Sequence, residues 1–267
     1  MNLFSRLFTK ESKAASGAPA ATSTPQFKAP SKPAAGVLKI PRAARIQLSP
    51  LHRLRCKVIV NGQERDSLIA NLSASGVGLL TGAQTGWPTP DSLIQGSLEF
   101  PNAASPVTVS FTAKIIHVSP QVLGAHFEGE TDLIREEVRR YFKVELGALR
   151  MSKVAPDMLK KDADGEPHWS YGDNGCEIFY LTRDSKIVRF NLAFFGNYAE
   201  GGDGFKTRFG QIVAADTSEK LQYKGNEEIR WDAGVPADLA LNAVRFVESV
   251  SHLAAGERAS IISLLQS

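Results

Sequence analysis

The dipeptide Asn61-Gly62 stands between Cys56-Lys57-Val58-Ile59-Val60 and Asp66-Ser67-Leu68-Ile69-Ala70-Asn71. Asn-Gly between apolar runs selects a two-residue turn with both central residues at positive φ, whose twist matches that of two paired strands. These stretches are therefore predicted to be an antiparallel hairpin, and its far end delivers Asn71. A second turn follows at once in Asn71-Leu72-Ser73-Ala74-Ser75-Gly76-Val77-Gly78-Leu79-Leu80. Short Asn and Ser side chains hydrogen-bond locally, and Gly76 permits positive φ or the close approach of another group to bare backbone. Such a turn is either a plain strand connection or a binding surface.

Three further runs complete the set: Leu93 to Phe100, Val107 to Ile116, and Val122 to Phe127. Short, partly alternating strands at this spacing argue a barrel or a sandwich. His117 and His126 have no carboxylate or cysteine at ligand spacing and read as structural or surface residues. From Thr131 to Leu149 the period changes. Ile134, Val138, Phe142 and Leu146 recur every fourth residue, with Leu133, Tyr141 and Leu149 widening the stripe, which predicts one helix. Its charges, Glu145 among them, read as a solvated face.

The pattern Asn71-x-Ser73-x-x-Gly76, with arginines upstream, resembles the PilZ domain. That family is a small bacterial β-barrel that binds cyclic di-GMP through an Arg-x-x-x-Arg segment and an Asp/Asn-x-Ser-x-x-Gly turn. Leu123-Gly124-x-x-Phe127 is also similar to the last strand of such barrels, and a helix after the barrel is what the resemblance implies. The resemblance covers roughly residues 40 to 150. It implies that Arg42 and Arg45 take phosphates or guanine edges, for which a planar guanidinium fork is suited. It further implies that Asn71 and Ser73 hydrogen-bond guanine, and that Gly76 lets backbone approach it. Arg42 and Arg45 are three residues apart where the family pattern has four. Arg53 and Arg55 follow but lie close to Asn71, whereas Arg45 precedes Asn71 by 26 residues, a separation that a strand pair can span.

Beyond the polar stretch 160–167 a second set of elements begins. Glu177 to Leu181 and Lys186 to Leu192 flank a turn at Arg183-Asp184-Ser185, Phe205 to Ile212 gives a strand, and Pro236 to Leu265 is largely helical. This half resembles no family. Gly201-Gly202-Asp203-Gly204-Phe205 lies one residue away from the signature of the enzymes that make cyclic di-GMP, but glycine stands where that signature has an acid. A glycine-rich hairpin loop accounts for it. Arg183, Lys186, Arg189, Lys206, Arg208, Lys220 and Lys224 read as the wet face of a sheet rather than a nucleic-acid surface.

The fold class expected is α+β: an N-terminal PilZ-like antiparallel β-barrel with a C-terminal helix, over residues 37–150, followed by a small α+β domain over 151–267. At 267 residues the chain has room for two cores, and a net charge of +3 argues against binding polyanions by bulk charge. Residues 1–36, rich in Ala, Pro, Ser, Thr and Lys, are expected to form a disordered basic tail. Within it Leu3, Phe4, Leu7 and Phe8 offer a short amphipathic foot for a membrane surface or a partner groove. No export signal or transmembrane run is read, and Cys56 and Cys176 are far apart without metal-ligand spacing, so a cytoplasmic setting without cofactor or metal is expected. An enzyme in the C-terminal half would be a third reading, but no nucleophile, base and orienting group can be named there, so no enzyme is expected. The function implied is a cyclic di-GMP receptor that changes its contacts with a protein partner or with its own second half. The alternative is a degenerate barrel acting as a protein-interaction module without nucleotide.

Overall fold

The computed structural model describes residues 43–82, 86–102, 105–160, 162–214 and 227–267. Arg42, the tail 1–36 with its foot at residues 3–8, the start of the expected barrel domain at residues 37–42, Lys220 and Lys224 lie outside the described residues.

Fifteen strands make two antiparallel sheets among the described residues. The first holds β1 (Ile46–Gln47), β2 (Arg55–Val60), β3 (Gln63–Ser67), β4 (Ile69–Ser73), β5 (Gly76–Leu80), β6 (Leu93–Phe100), β7 (Val107–Val118) and β8 (Val122–Glu128), in the order β1-β4-β5-β8-β7-β6-β2-β3. The Asn61-Gly62 turn forms as expected, with φ of 52° and 76°, and β2 pairs with β3 across it. The expected single strand from Asp66 to Asn71 is instead cut at Leu68. Its first part stays with β2 while its second pairs with β1 and β5, at the opposite end of the strand order. One chain segment thus touches both ends of the sheet, and this curls it into an open barrel.

Alternation follows the pleat. Val58, Val60, Leu72, Val77, Leu79, Ile94, Leu98, Ile115, Leu123 and Phe127 point inward and are buried. The barrel is capped by α1 (Asp132–Tyr141) and α2 (Lys143–Ala148), which meet at Phe142, where φ of −99° and ψ of 24° break the one helix expected from Thr131 to Leu149. Ile134, Val138 and Phe142 fill the barrel core as the fourfold spacing requires, whereas Leu133 is 69% exposed and lies off the stripe.

The second sheet is a meander: β9 (Ser152–Lys153), β10 (Glu166–Tyr171), β11 (Glu177–Arg183), β12 (Lys186–Phe194), β13 (Asn197–Gly202), β14 (Phe205–Ala214) and β15 (Glu227–Trp231), each beside the next. The β11–β12 turn again uses positive φ, at Asp184 and Ser185. The Gly-Gly-Asp-Gly stretch is the β13–β14 hairpin, closed by Gly202 opposite Phe205 with Gly204 at φ of 84°. Against this sheet lie α3 (Ala237–Ser249) and α4 (Ala255–Leu265), whose Val244, Phe246, Val247, Ile261 and Leu265 close a second core.

The two cores share a joint. Leu51, Val144 and Ala148, which belong by sequence to the barrel and its helices, pack against the second core. Both cysteines are buried and free, and burial together with the nearby Asp66 charge pushes the Cys56 thiol up to about 12, so it is unreactive at neutral pH.

Candidate functional site

The turn between β4 and β5 is tied by its own side chains. Ser73 is 6% exposed; its hydroxyl accepts the Ser75 N–H at 3.3 Å and donates to the Gly76 carbonyl at 3.2 Å. Gly76 is not at positive φ. A Cβ there would stand 2.4 Å from the Ala125 carbonyl oxygen, so glycine is required because β8 approaches the bare backbone. The packing of β8 thus requires glycine here independently of the ligand approach expected of it.

Register places the expected binding residues. Ile46 pairs with Leu72 and Gln47 with Asn71. Ile46 and Leu72 are buried, so Gln47 and Asn71 point outward, and Ser73 shares their face of β4 by alternation. Arg45 immediately precedes β1, is exposed, and by the same alternation falls on the outer face beside Ser73. The structure therefore brings Arg45, Asn71, Ser73 and Gly76 to one patch. Arg53 and Arg55 go elsewhere: Arg53 ends a short 3-10 turn at φ of 49°, and Arg55 lies on β2 opposite Glu99, 3.6 Å from its carboxylate.

Asn71 does not simply project into solvent. Its amide leans over β5, within 2.7–2.9 Å of where a Gly78 Cβ would stand. On the far side of the same face His117 leans over β8, its Cε1 2.1 Å from the place of a Gly124 Cβ. Sequence reasoning set His117 aside for want of a metal-ligand neighbour. The legible signal was Gly78 and Gly124 inside otherwise apolar strand runs, since glycine inside a strand marks close approach.

Seven residues after Arg45 the same segment enters a buried charge cluster. His52 is 3% exposed, and its Nδ1 accepts the Ser49 N–H at 3.0 Å. These partners assign the proton to Nε2, which donates to Glu145 Oε1 at 3.0 Å. The same oxygen accepts Arg245 Nε at 2.5 Å, and Arg245 also donates to the Tyr141 carbonyl at 3.1 Å while its guanidinium lies 4.9 Å from the Tyr141 ring centroid. The Tyr141 hydroxyl closes the loop on the His52 carbonyl. Glu145 is fully buried, which corrects its reading as part of a solvated helix face. Its fourfold-periodic neighbours hid the fact that α2 faces a second core as well as the first.

Burial pushes the Glu145 carboxyl pKa up, but the His52 hydrogen bond and the Arg245 hydrogen bond and charge outweigh it, leaving it below the ordinary value of about 4.5. The unfolded chain consequently takes up this proton first. The stability Glu145 contributes is present above pH of about 4.5 and is lost as pH falls through the lower folded-state value. Thermal melts between neutral pH and acid should show a steeper loss below that point in the wild type than in Glu145→Gln; identical slopes would remove Glu145 from the account.

Elsewhere, Ser170 Oγ lies 2.7 Å from His252 Nε2, yet Ser170 is 2% exposed, which suits a structural hydrogen bond rather than a nucleophile. Of the basic residues in the second sheet, Arg208 is held by Glu200 and stacks 3.7 Å over Trp231, and Arg183 pairs with Asp164. Among the described residues no group of three or more His, Cys, Asp or Glu is placed to hold a metal, and no helix is long and apolar enough to cross a membrane.

Comparison with known proteins gives one family and several solved structures, among them the following two. Residues 41–143 match the family model of the PilZ domain. No curated protein matches the chain. The solved structure of an uncharacterized Legionella protein, Lpg0364, is 13% identical, covering 38% of this chain and 95% of that one with a TM-score of 0.28. That of the Borreliella burgdorferi PlzA protein in complex with c-di-GMP is likewise 13% identical, covering 77% of this chain and 94% of that one, also with a TM-score of 0.28.

Proposed function

We propose that the PilZ domain this chain carries at residues 41–143 is a cytoplasmic receptor for cyclic di-GMP, with Arg42, Arg45, Asn71, Ser73 and Gly76 as its ligand-binding residues. The observation that supports the reading is the β1–β4 register of Ile46 with Leu72 and Gln47 with Asn71, from which alternation carries the exposed Arg45 to the outer face beside Asn71 and Ser73. A guanidinium beside an amide and a hydroxyl suits a ligand that is anionic at its phosphates and rich in donors and acceptors at its guanine edges. Asn71 has one acceptor oxygen, so it grips adjacent guanine donors less firmly than a carboxylate.

The response to ligand is a change in contacts with the second half of the chain or with a protein partner. What supports a route inward is covalent continuity. Arg45 leads through β1, the Leu48 N–H to Ala70 carbonyl bond and the 3-10 turn Pro50–His52 to the His52–Glu145–Arg245 cluster. A ligand that draws the arginine segment onto the turn therefore pulls on the joint where Leu51, Val144 and Ala148 pack against the second core.

Calorimetric titration of the full chain with cyclic di-GMP tests the reading. Binding is expected at low salt. Arg45→Ala removes charge-assisted contacts worth about 1.5–3 kcal/mol, or roughly ten- to a hundredfold in affinity, and that loss should shrink as salt rises. Ser73→Ala should cost less, about 0.5–1.5 kcal/mol, with little salt dependence. No heat at high micromolar ligand would overturn the receptor and leave the protein-interaction module. The self-contained hydrogen bonds of the Ser73 turn are the observation favouring that second reading.

A further inference from the structure

We infer that His117 is a ligand-binding residue, the aromatic surface on which a guanine base lies, with the paired glycines Gly78 and Gly124 as the floor between it and Asn71. The inference rests on the cyclic di-GMP reading above.

The outer face of the barrel carries a straight row across five adjacent strands. Gln47 pairs with Asn71, Asn71 with Gly78, Gly78 with Gly124, and Gly124 with His117. The two central members have no side chains, and the two that flank them are planar and polar. Neither glycine is at positive φ, so backbone conformation does not call for them. What calls for them is the volume of the neighbours: the Asn71 amide from one side and the His117 imidazole from the other already occupy the space their Cβ atoms would need.

Both leaning residues are aimed by the same device. The β4–β5 ladder shifts register between Ile69 and Asn71, and the β7–β8 ladder shifts between Ile115 and His117. A β-bulge inserts one residue, bends its strand and re-aims the side chain that follows. Here two bulges, one on each side of a glycine pair, turn an amide and an imidazole toward each other over bare backbone. Directly paired residues stand roughly 5 Å apart, so the Asn71 amide and the His117 imidazole flank a narrow strip of bare backbone, above which the outer surface of the imidazole is open to a base. Among the described residues the exposed His117 has no hydrogen-bond or ion-pair partner.

The neighbouring row supplies charge. Ser73 pairs with Gly76, Gly76 with His126, and His126 with Lys114, while Arg45 stands beyond Ser73. Lys114 is 2.9 Å from Asp91, and Arg45 is the arginine that stands nearest this row among the described residues, placed to take a phosphate. A base over His117 with its edge toward the Asn71 amide, and a phosphate toward Arg45, matches the order of groups in a guanine dinucleotide. Aromatic surface serves any base by stacking, and Asn71 adds the reading of the edge.

The test is calorimetric titration of full-length wild type, His117→Ala, His117→Phe, Gly124→Ala and the His117→Ala/Gly124→Ala double variant with cyclic di-GMP, with circular dichroism as the check on fold. His117→Ala should weaken binding roughly 5- to 100-fold, the range that base–aromatic stacking supports, and His117→Phe should keep affinity within about threefold of wild type because it keeps the ring. Gly124→Ala puts a methyl where the imidazole tip stands, so the ring must swing away. It should lose as much affinity as His117→Ala, and the double variant should lose no more than either. Wild-type binding with His117→Ala unchanged would overturn this inference and leave the receptor standing, as would full additivity in the double variant. Absence of wild-type binding would instead overturn the receptor reading, and this inference with it.

Discussion

Replacing Arg245 by alanine should destabilise the protein by about 3–5 kcal/mol, the cost typical of breaking a buried ion pair from one side. The carboxylate left behind has no route to solvent: Glu145 is fully buried, and its Oε2 has no hydrogen-bond partner among the described residues. All of its compensation passes through Oε1, to Arg245 and His52. The loss should be read as a fall in the thermal midpoint of roughly 6–20 °C, since about 2–4 °C accompanies each kcal/mol in a chain of this size. The double variant Glu145→Leu/Arg245→Met removes both charges at similar volume and should recover most of that loss, because the attraction of a buried pair is largely offset by its own desolvation. A single variant melting within a degree or two of wild type would show the cluster to be solvated and the joint to be held by apolar packing alone.

The joint also shows why sequence led so far and no further. Strand period, Asn-Gly and the polar turn made the barrel legible, because each is a local demand of the backbone: two positive φ values, alternating burial, short hydrogen-bonding side chains. The helix after it was legible through Ile134, Val138 and Phe142, which face one core at a fourfold spacing. Glu145 was not, since a glutamate between Val144 and Leu146 on a charged helix is ordinary until a second surface covers it. What covers it is Arg245, 100 residues away in sequence, and no local pattern announces a partner at that distance. The candidate site divides the same way. Asn71, Ser73 and Gly76 lie within one turn and were read together, and Arg45 joins them through a strand pairing that the length of the intervening chain allowed. His117 joins them only through the β5–β8 and β8–β7 ladders and a bulge, and so its place was visible in sequence only as a glycine where a β-branched residue would be expected.

The residue of that turn most exposed to misreading is Gly76, and its substitution should separate packing from recognition. Gly76→Val is expected to lower stability by about 1–3 kcal/mol or more, the cost of inserting atoms into a filled space. The clash is with backbone: the new Cβ would stand 2.4 Å from the Ala125 carbonyl oxygen, and that carbonyl belongs to a strand held on both sides, by β5 and by β7. Neither strand can yield without disturbing the Gly78–Gly124 pair two residues along. Gly76→Val should therefore lose cyclic di-GMP binding and melt earlier, whereas Ser73→Ala should lose part of its affinity with a smaller change in midpoint. Urea denaturation of both variants, each beside its own titration, gives the comparison. If Gly76→Val binds no ligand while keeping wild-type stability, the glycine serves ligand approach directly and the packing account fails. Should it instead keep both stability and affinity, the close contact between β5 and β8 is not a constraint on this sheet.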